Sequence, residues 1–217
     1  MSEDRLGATC RAREAFYRTL GDVSADVWAP LVNPTFMGGP TWPALRQGWR
    51  TIARGGSTAV VSDGLSDPFD DEPGPNAGFG VEVLVETPDP VGPNVPAGWL
   101  FHLAYQVAQN AAHHGGFREA VERYGVFTME VAADGHLTTH QTEEGRVGLL
   151  LGPAAPDLPV GADLPGGRLR LIPAKLLTAA ELGYAVGHGQ AGRDRLWSLF
   201  EQDRTYHRSS AGRASAV

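Results

Sequence analysis

Three proline- and glycine-rich runs, residues 33–43, 63–77 and 88–96, interrupt the first half of the chain and leave room only for short regular elements between them. A helical bundle needs long uninterrupted amphipathic segments. This punctuation, shared by a sequence with 28 glycines and 16 prolines, points instead to a loop-rich α/β or α+β chain.

Between the runs, residues 47–54 and 57–62 read as two strands joined by a turn at Gly55-Gly56. Residues 79–87 give the clearest strand, with Phe79, Val81, Val83 and Val85 alternating against Gly80, Glu82, Leu84 and Glu86. Residues 97–114 form the longest helix, its apolar stripe carried by Leu100, Leu103, Ala104, Val107 and Ala111. Upstream, residues 9–20 fit a short amphipathic helix. Ser24 is expected to cap a further helical turn through Trp28, stopped by Pro30. Downstream, residues 126–131, 147–151 and 169–172 read as strands, the middle one buried on both faces. Thr178-x-x-Glu181 has capping-box spacing and opens a helix to His188, followed by a last helix over residues 190–204. Residues 206–217 are small and polar and read as a disordered tail, so one folded domain is expected over residues 1–205.

Hydrophobic residues make up 42% of the chain, enough for a packed core. With 18 basic against 25 acidic residues the net charge is −7, and the clustered Lys and Arg that neutralise phosphates are lacking. Nucleic acid is therefore not an expected partner, whereas a basic protein would be steered toward the chain. The lone Cys10 excludes an internal disulfide and suits a reducing compartment. Residues 1–8 lack the apolar core of a signal peptide, and no stretch has the length of a membrane helix. A cytoplasmic protein is expected.

Catalytic constellations do not assemble. Gly64-Leu65-Ser66-Asp67 superficially resembles a nucleophile turn, but Pro68 stands where a second glycine and then a helix are required. His136 and His140 are four apart, in a setting of glycine and threonine that does not support the helix needed to aim both at one ion. Asp67, Asp70, Asp71 and Glu72 lack the alternation and glycine of a calcium loop. Glu82 and Glu86 share a strand face. Under a helix one of them would have a raised pKa and act as an acid or base; the plainer reading is that Glu82 accepts backbone or Arg hydrogen bonds and serves the fold. No phosphate loop, dinucleotide glycine pattern or zinc-protease helix appears, so no cofactor or metal is expected.

On the long helix, His102, Gln106, Gln109 and His113 recur at four, three and four residues and fall on one stripe. No Lys, Arg, Asp or Glu lies between Trp99 and His113. Such depletion marks either the core of an interface or a polar stripe hydrogen-bonded beneath loops.

Gly64-Leu65-Ser66-Asp67 followed by Gly78-Phe79-Gly80-Val81-Glu82 resembles the paired Gly-Leu-Ser-Asp and Gly-Phe-Gly-x-Glu motifs of suppressor of fused domains. Residues 34–40, the helix with Ala104-Tyr105-Gln106-Val107-Ala108-Gln109, and Thr178-Ala179-Ala180-Glu181-Leu182 are similar to further segments of that family, in the same order. Physically, Gly78 and Gly80 leave a strand face bare for close approach, and Gly64 and Asp67 suit a turn.

The resemblance implies an α+β domain, a mixed sheet flanked by helices, and a protein-binding rather than catalytic role. Animal members of the family restrain a zinc-finger transcription factor with the help of an additional C-terminal domain. The compact length of this chain is similar to that of bacterial members, which are proposed to include immunity proteins that neutralise polymorphic toxins. On that reading the partner is a protein, for instance a basic toxin domain, with no nucleic acid or membrane involved. The expected contact surface is Asp67, Asp70, Asp71 and Glu72 together with His102, Gln106, Gln109 and His113. The alternatives are a hydrolase-like enzyme or a small-molecule binder using a cleft near Glu82 and His113.

Overall fold

The computed structural model describes residues 2–91, 98–133, 137–152 and 155–217. Helix α1 (Ser2–Leu20) leads into β1 (Asp22–Trp28), β2 (Gly48–Arg54), β3 (Ser57–Asp63) and β4 (Val81–Thr87). Then come α2 (Gly98–His114), α3 (Phe117–Tyr124), β5 (Phe127–Ala132), β6 (Arg146–Leu151), β7 (Gly161–Leu164), β8 (Gly167–Leu176) and α4 (Ala179–Gln202). The strands form one eight-stranded sheet in the order β1-β2-β3-β4-β8-β6-β5, with β7 pairing β8. The sheet is mixed: β4 and β8 run parallel, while the β1–β2, β2–β3, β3–β4, β6–β8 and β5–β6 pairs are antiparallel.

Strand β4 lies at the centre, and all seven of its residues are buried. Its valines Val81, Val83 and Val85 pack with Leu100, Leu103 and Val107 of α2 in one core. Leu84, on the opposite face, joins Phe16, Tyr17 and Leu20 of α1 in a second core. The alternation read in the sequence is therefore real, but its polar side faces a helix rather than water, and Glu82 and Glu86 are fully buried. The Gly55-Gly56 hairpin joins β2 to β3 as expected, with Arg54 opposite Ser57. The capping box is also present: Thr178 Oγ1 accepts from Glu181 N at 3.2 Å and Glu181 Oε2 accepts from Thr178 N at 2.9 Å. The two helices expected after it run together as α4, kinked at Gly189.

Two expectations are corrected. Residues 24–28 are not a helical turn but part of β1, where Trp28 stands opposite Trp49 and Asp22 opposite Ala53. Ser24 does offer its side chain to a nearby amide, accepting from Asp26 N at 3.2 Å, but within an irregularity of the strand. Residues 206–217 do not fray. His207 and Ser209 are fully buried. Three carboxylates hold the segment: Glu86 takes His207 Nε2 at 2.8 Å, Asp89 takes Ala211 N at 2.9 Å, and Glu181 takes Ala216 N at 2.9 Å. Helix α3 and strand β7 have no counterpart in the sequence reading. Among the described residues, no helix is long and apolar enough to cross a membrane.

Candidate functional site

The Gly-Leu-Ser-Asp motif follows β3 and turns back under α1. Gly78 adopts φ 55°, and a Cβ there would lie 2.2 Å from Asp67 O, so only glycine lets the two motifs meet. Phe79 N closes the contact by donating to Leu65 O at 2.9 Å. Into this pocket α1 sends Arg13, which is fully buried. Its guanidinium lies 2.7 Å from Asp63 Oδ1, 2.7 Å from Asp67 Oδ1 and 3.6 Å from Glu82 Oε1.

Glu82 accepts from Gly64 N at 3.1 Å, Ser66 N at 3.0 Å and Ser66 Oγ at 2.7 Å, and also from Ser62 Oγ. Burial pushes its carboxyl up, against the pull of Arg13 and the two serines. Burial likewise raises Asp63, but Arg13 and Arg46 outweigh it and hold that carboxyl well below the usual range. These groups spend their hydrogen bonds on one another. The motif cluster ties α1 to the sheet, which is the fold-serving role the plainer reading of Glu82 expects.

The expected contact residues separate into two places. Asp67 belongs to the buried cluster and presents nothing to solvent, because Arg13 draws it inward. Asp70, Asp71 and Glu72 are exposed and line a cleft with Asp4, Arg5 and Ala8 of α1. Arg5 Nη1 donates to the carbonyls of Glu72 and Gly74, clasping this loop. On α2, His113 is exposed and His102 is half-buried, its Nε2 2.8 Å from Ala132 O. Gln106 is half-buried. Gln109 is buried and donates to Gln47 Oε1 at 2.7 Å. His140 is buried beside Thr139, while His136 lies outside the described residues. Among the described residues, no group of three His, Cys, Asp or Glu is placed to hold a metal ion.

A surface the sequence reading missed adjoins His102. Trp28, Gly98, Phe101, His102 and Tyr105 line an open cleft of about 490 Å³. Trp28 is 42% exposed at its rim and stacks edge-on to the buried Trp49, with ring centroids 4.9 Å apart; Trp49 in turn meets the buried Trp42 at 5.2 Å. Trp49 Nε1 donates to Ala104 O at 3.2 Å, which locks the aromatic stack to α2.

From Trp28 the chain enters a loop that displays Leu31, Phe36 and Met37, with Phe36 76% and Met37 78% exposed. Residues 27–45 contain no charged side chain. The loop is nonetheless ordered. Asn33 caps the 3₁₀ turn Pro34–Met37, accepting from Thr35 N at 3.0 Å, and Gln47 Nε2 holds Pro40 O at 3.0 Å. Exposed large apolar residues gathered on one rigid segment mark interaction surfaces. The absence of charge from residue 27 to residue 45 is the sequence signal for this surface.

Neither a family model nor a curated protein matches this sequence. Solved structures do match its fold. An α+β arrangement with a mixed sheet between helices is shared with a chain of the Sufu-Fu complex crystal structure, at a TM-score of 0.57 and 16% identity over 98% of this chain and 92% of that one. Drosophila Suppressor of Fused matches at a TM-score of 0.46 and 18% identity, over 74% of this chain and 39% of that one. The fold is thus the suppressor-of-fused-like fold that the motif resemblance implies.

Proposed function

We propose that this chain is a non-enzymatic protein-binding domain whose contact surface is the aromatic cleft at Trp28 and the uncharged loop beyond it. The observation that carries this reading is an ordered surface segment displaying Leu31, Phe36 and Met37 beside an open cleft lined by Trp28, Phe101 and Tyr105. A few buried aromatic anchors supply most of the energy of a protein interface, and pre-ordering them lowers the entropic cost of binding. The fold neighbour with 98% coverage comes from a complex, the Sufu-Fu complex, which supports a binding role here. The hydrolase-like alternative has little to work with: Glu82 is enclosed and saturated with hydrogen bonds, and His113 is exposed at the end of α2.

A finer reading is an immunity protein acting in the cytoplasm on a basic toxin domain. It draws support from the net charge of −7, the single cysteine and the exposed Asp71 and Glu72. In that case the acidic loop steers encounter, while the aromatic cleft supplies affinity.

The test is co-purification of native partners with the wild-type chain, with Trp28→Ala/Phe36→Ser, and with Asp71→Lys/Glu72→Lys. A stoichiometric protein retained by the charge variant and lost by the aromatic variant supports the reading. Loss with the charge variant alone moves the surface to the acidic loop, and equal retention by both removes the proposed surface.

A further inference from the structure

Helix α3 meets the β7–β8 hairpin at a second, smaller cleft of about 150 Å³, lined by Arg118, Glu122, Val160, Arg168, Leu169 and Arg170. Three arginines and one glutamate line it, in a chain where acidic residues outnumber basic ones 25 to 18. Arg118 is fixed in place. Its Nε bonds Glu122 Oε1 at 3.0 Å, and its Nη1 donates to Arg168 O at 3.1 Å. Arg118 also lies against Gly80, where a Cβ would come within 2.9 Å of Arg118 Nη1. Gly80 O also accepts from Arg170 N at 2.9 Å, which anchors the backbone beneath the cleft.

The guanidinium groups of Arg168 and Arg170 make no ion pair or hydrogen bond among the described residues, although Asp163 stands opposite Arg168 in the β7–β8 register. Arginine is always charged, and its forked donors bond oxyanions in pairs. The volume is well under the roughly 300 Å³ at which pockets for whole small molecules begin, so it suits an anion or the anionic tip of a larger group. The lining residues carry three positive charges and one negative, and with the cross-strand Asp163 beside Arg168 counted the cleft still keeps a net positive charge; phosphate esters carry about −1.5 to −2 near neutral pH.

We propose that this cleft binds a tetrahedral phosphate, either as the free ion or as the phosphate of a phosphorylated side chain. The site is separate from the aromatic cleft, so its failure would leave the protein-binding reading untouched.

Calorimetric titration of the full chain at low ionic strength tests it, with inorganic phosphate and capped phosphoserine as probes and acetate as the monoanionic control. Saturable single-site binding of a phosphate probe is expected, weakened about tenfold by each of Arg168→Gln and Arg170→Gln. Both side chains reach solvent, so the thermal midpoint of either variant should stay that of the wild type. Tighter binding of phosphoserine than of phosphate identifies a modified side chain as the source; the reverse order identifies the free ion. Unsaturable binding, equal affinity for acetate, or unchanged affinity in R168Q/R170Q overturns the proposal.

Discussion

Gln109 of α2 donates to Gln47 Oε1 at 2.7 Å, and Gln47 Nε2 reaches Pro40 O at 3.0 Å and Thr35 Oγ1 at 3.3 Å. A helix residue thereby holds the exposed apolar loop from beneath. Removing Gln109 leaves a buried acceptor unsatisfied, at a cost of about 1–3 kcal/mol. Gln109→Ala should speed hydrogen exchange at the amides of Phe36, Gly38 and Gly39 while leaving the middle of α2 protected. Unchanged exchange in the loop would show that the glutamine relay does not support it.

Phe36 should matter for binding and not for folding, whereas Trp28, stacked on Trp49, should matter for both. Phe36→Ser should change stability by no more than about 0.5 kcal/mol, because the side chain is already mostly in water. Trp28→Ala should weaken a partner by about 2 kcal/mol or more, roughly thirtyfold. Denaturant midpoints and partner affinities measured on the same preparations separate the two effects.

Arg13 carries the opposite expectation. Its replacement by methionine strips buried Glu82 of its cation and leaves Asp67 to the partly exposed Arg46 and Asp63 to Arg46 and Arg50, and breaking a buried pair of this kind costs about 3–5 kcal/mol. R13M should unfold at much lower urea at pH 7 and recover part of the loss at pH 5, where the crowded carboxylates can take up protons. A pH-independent deficit would place the loss in packing alone.

The C-terminal segment should come under strain in acid. Burial pulls the Glu86 carboxyl up, but His207, Ser57 and Arg54 outweigh it and hold it at about 2, below its ordinary 4.5. The unfolded chain therefore takes up the proton first. The contribution is complete above about pH 4.5 and is lost as pH falls toward 2, amounting to roughly 3 kcal/mol. Urea midpoints measured across that window should fall for the wild type and fall less steeply for Glu86→Gln.

Lys175 acts in the other direction. Burial, with Arg213 nearby, lowers its ammonium from 10.5 to about 7, although it donates to Arg208 O at 2.6 Å and lies 4.3 Å from the Phe200 ring. Between pH 7 and 10 the unfolded chain binds more protons than the folded one, so stability should rise with pH over that range. Lys175→Met should flatten the rise and be no less stable than the wild type at pH 7. Above pH 10 buried Tyr17, its phenol pushed well up by burial and by Glu82, should reverse the trend.

Local chemistry was enough to read the β2–β3 hairpin, the β4 alternation, the apolar stripe of α2 and the capping box of α4, because each is set by residues a few positions apart. It was also enough to pick out Glu82, Gly78 and Gly80 as structurally constrained. Contacts between distant segments settled the rest. Asp67 and Asp71 have the same carboxylate within one short run, yet Asp67 is buried with Arg13 from α1 and Arg46 as its partners, and Asp71 remains in water. Strand β1 is a strand because β2 supplies its hydrogen-bond partners, while the Ser24 signal read alone favours a helix start. The last residues carry no apolar pattern, and their order comes from Glu86, Asp89 and Glu181, carboxylates that only the tertiary fold brings to them. Sequence periodicity reports which residues seek burial; which polar groups are buried with them depends on partners that the chain assembles only in three dimensions.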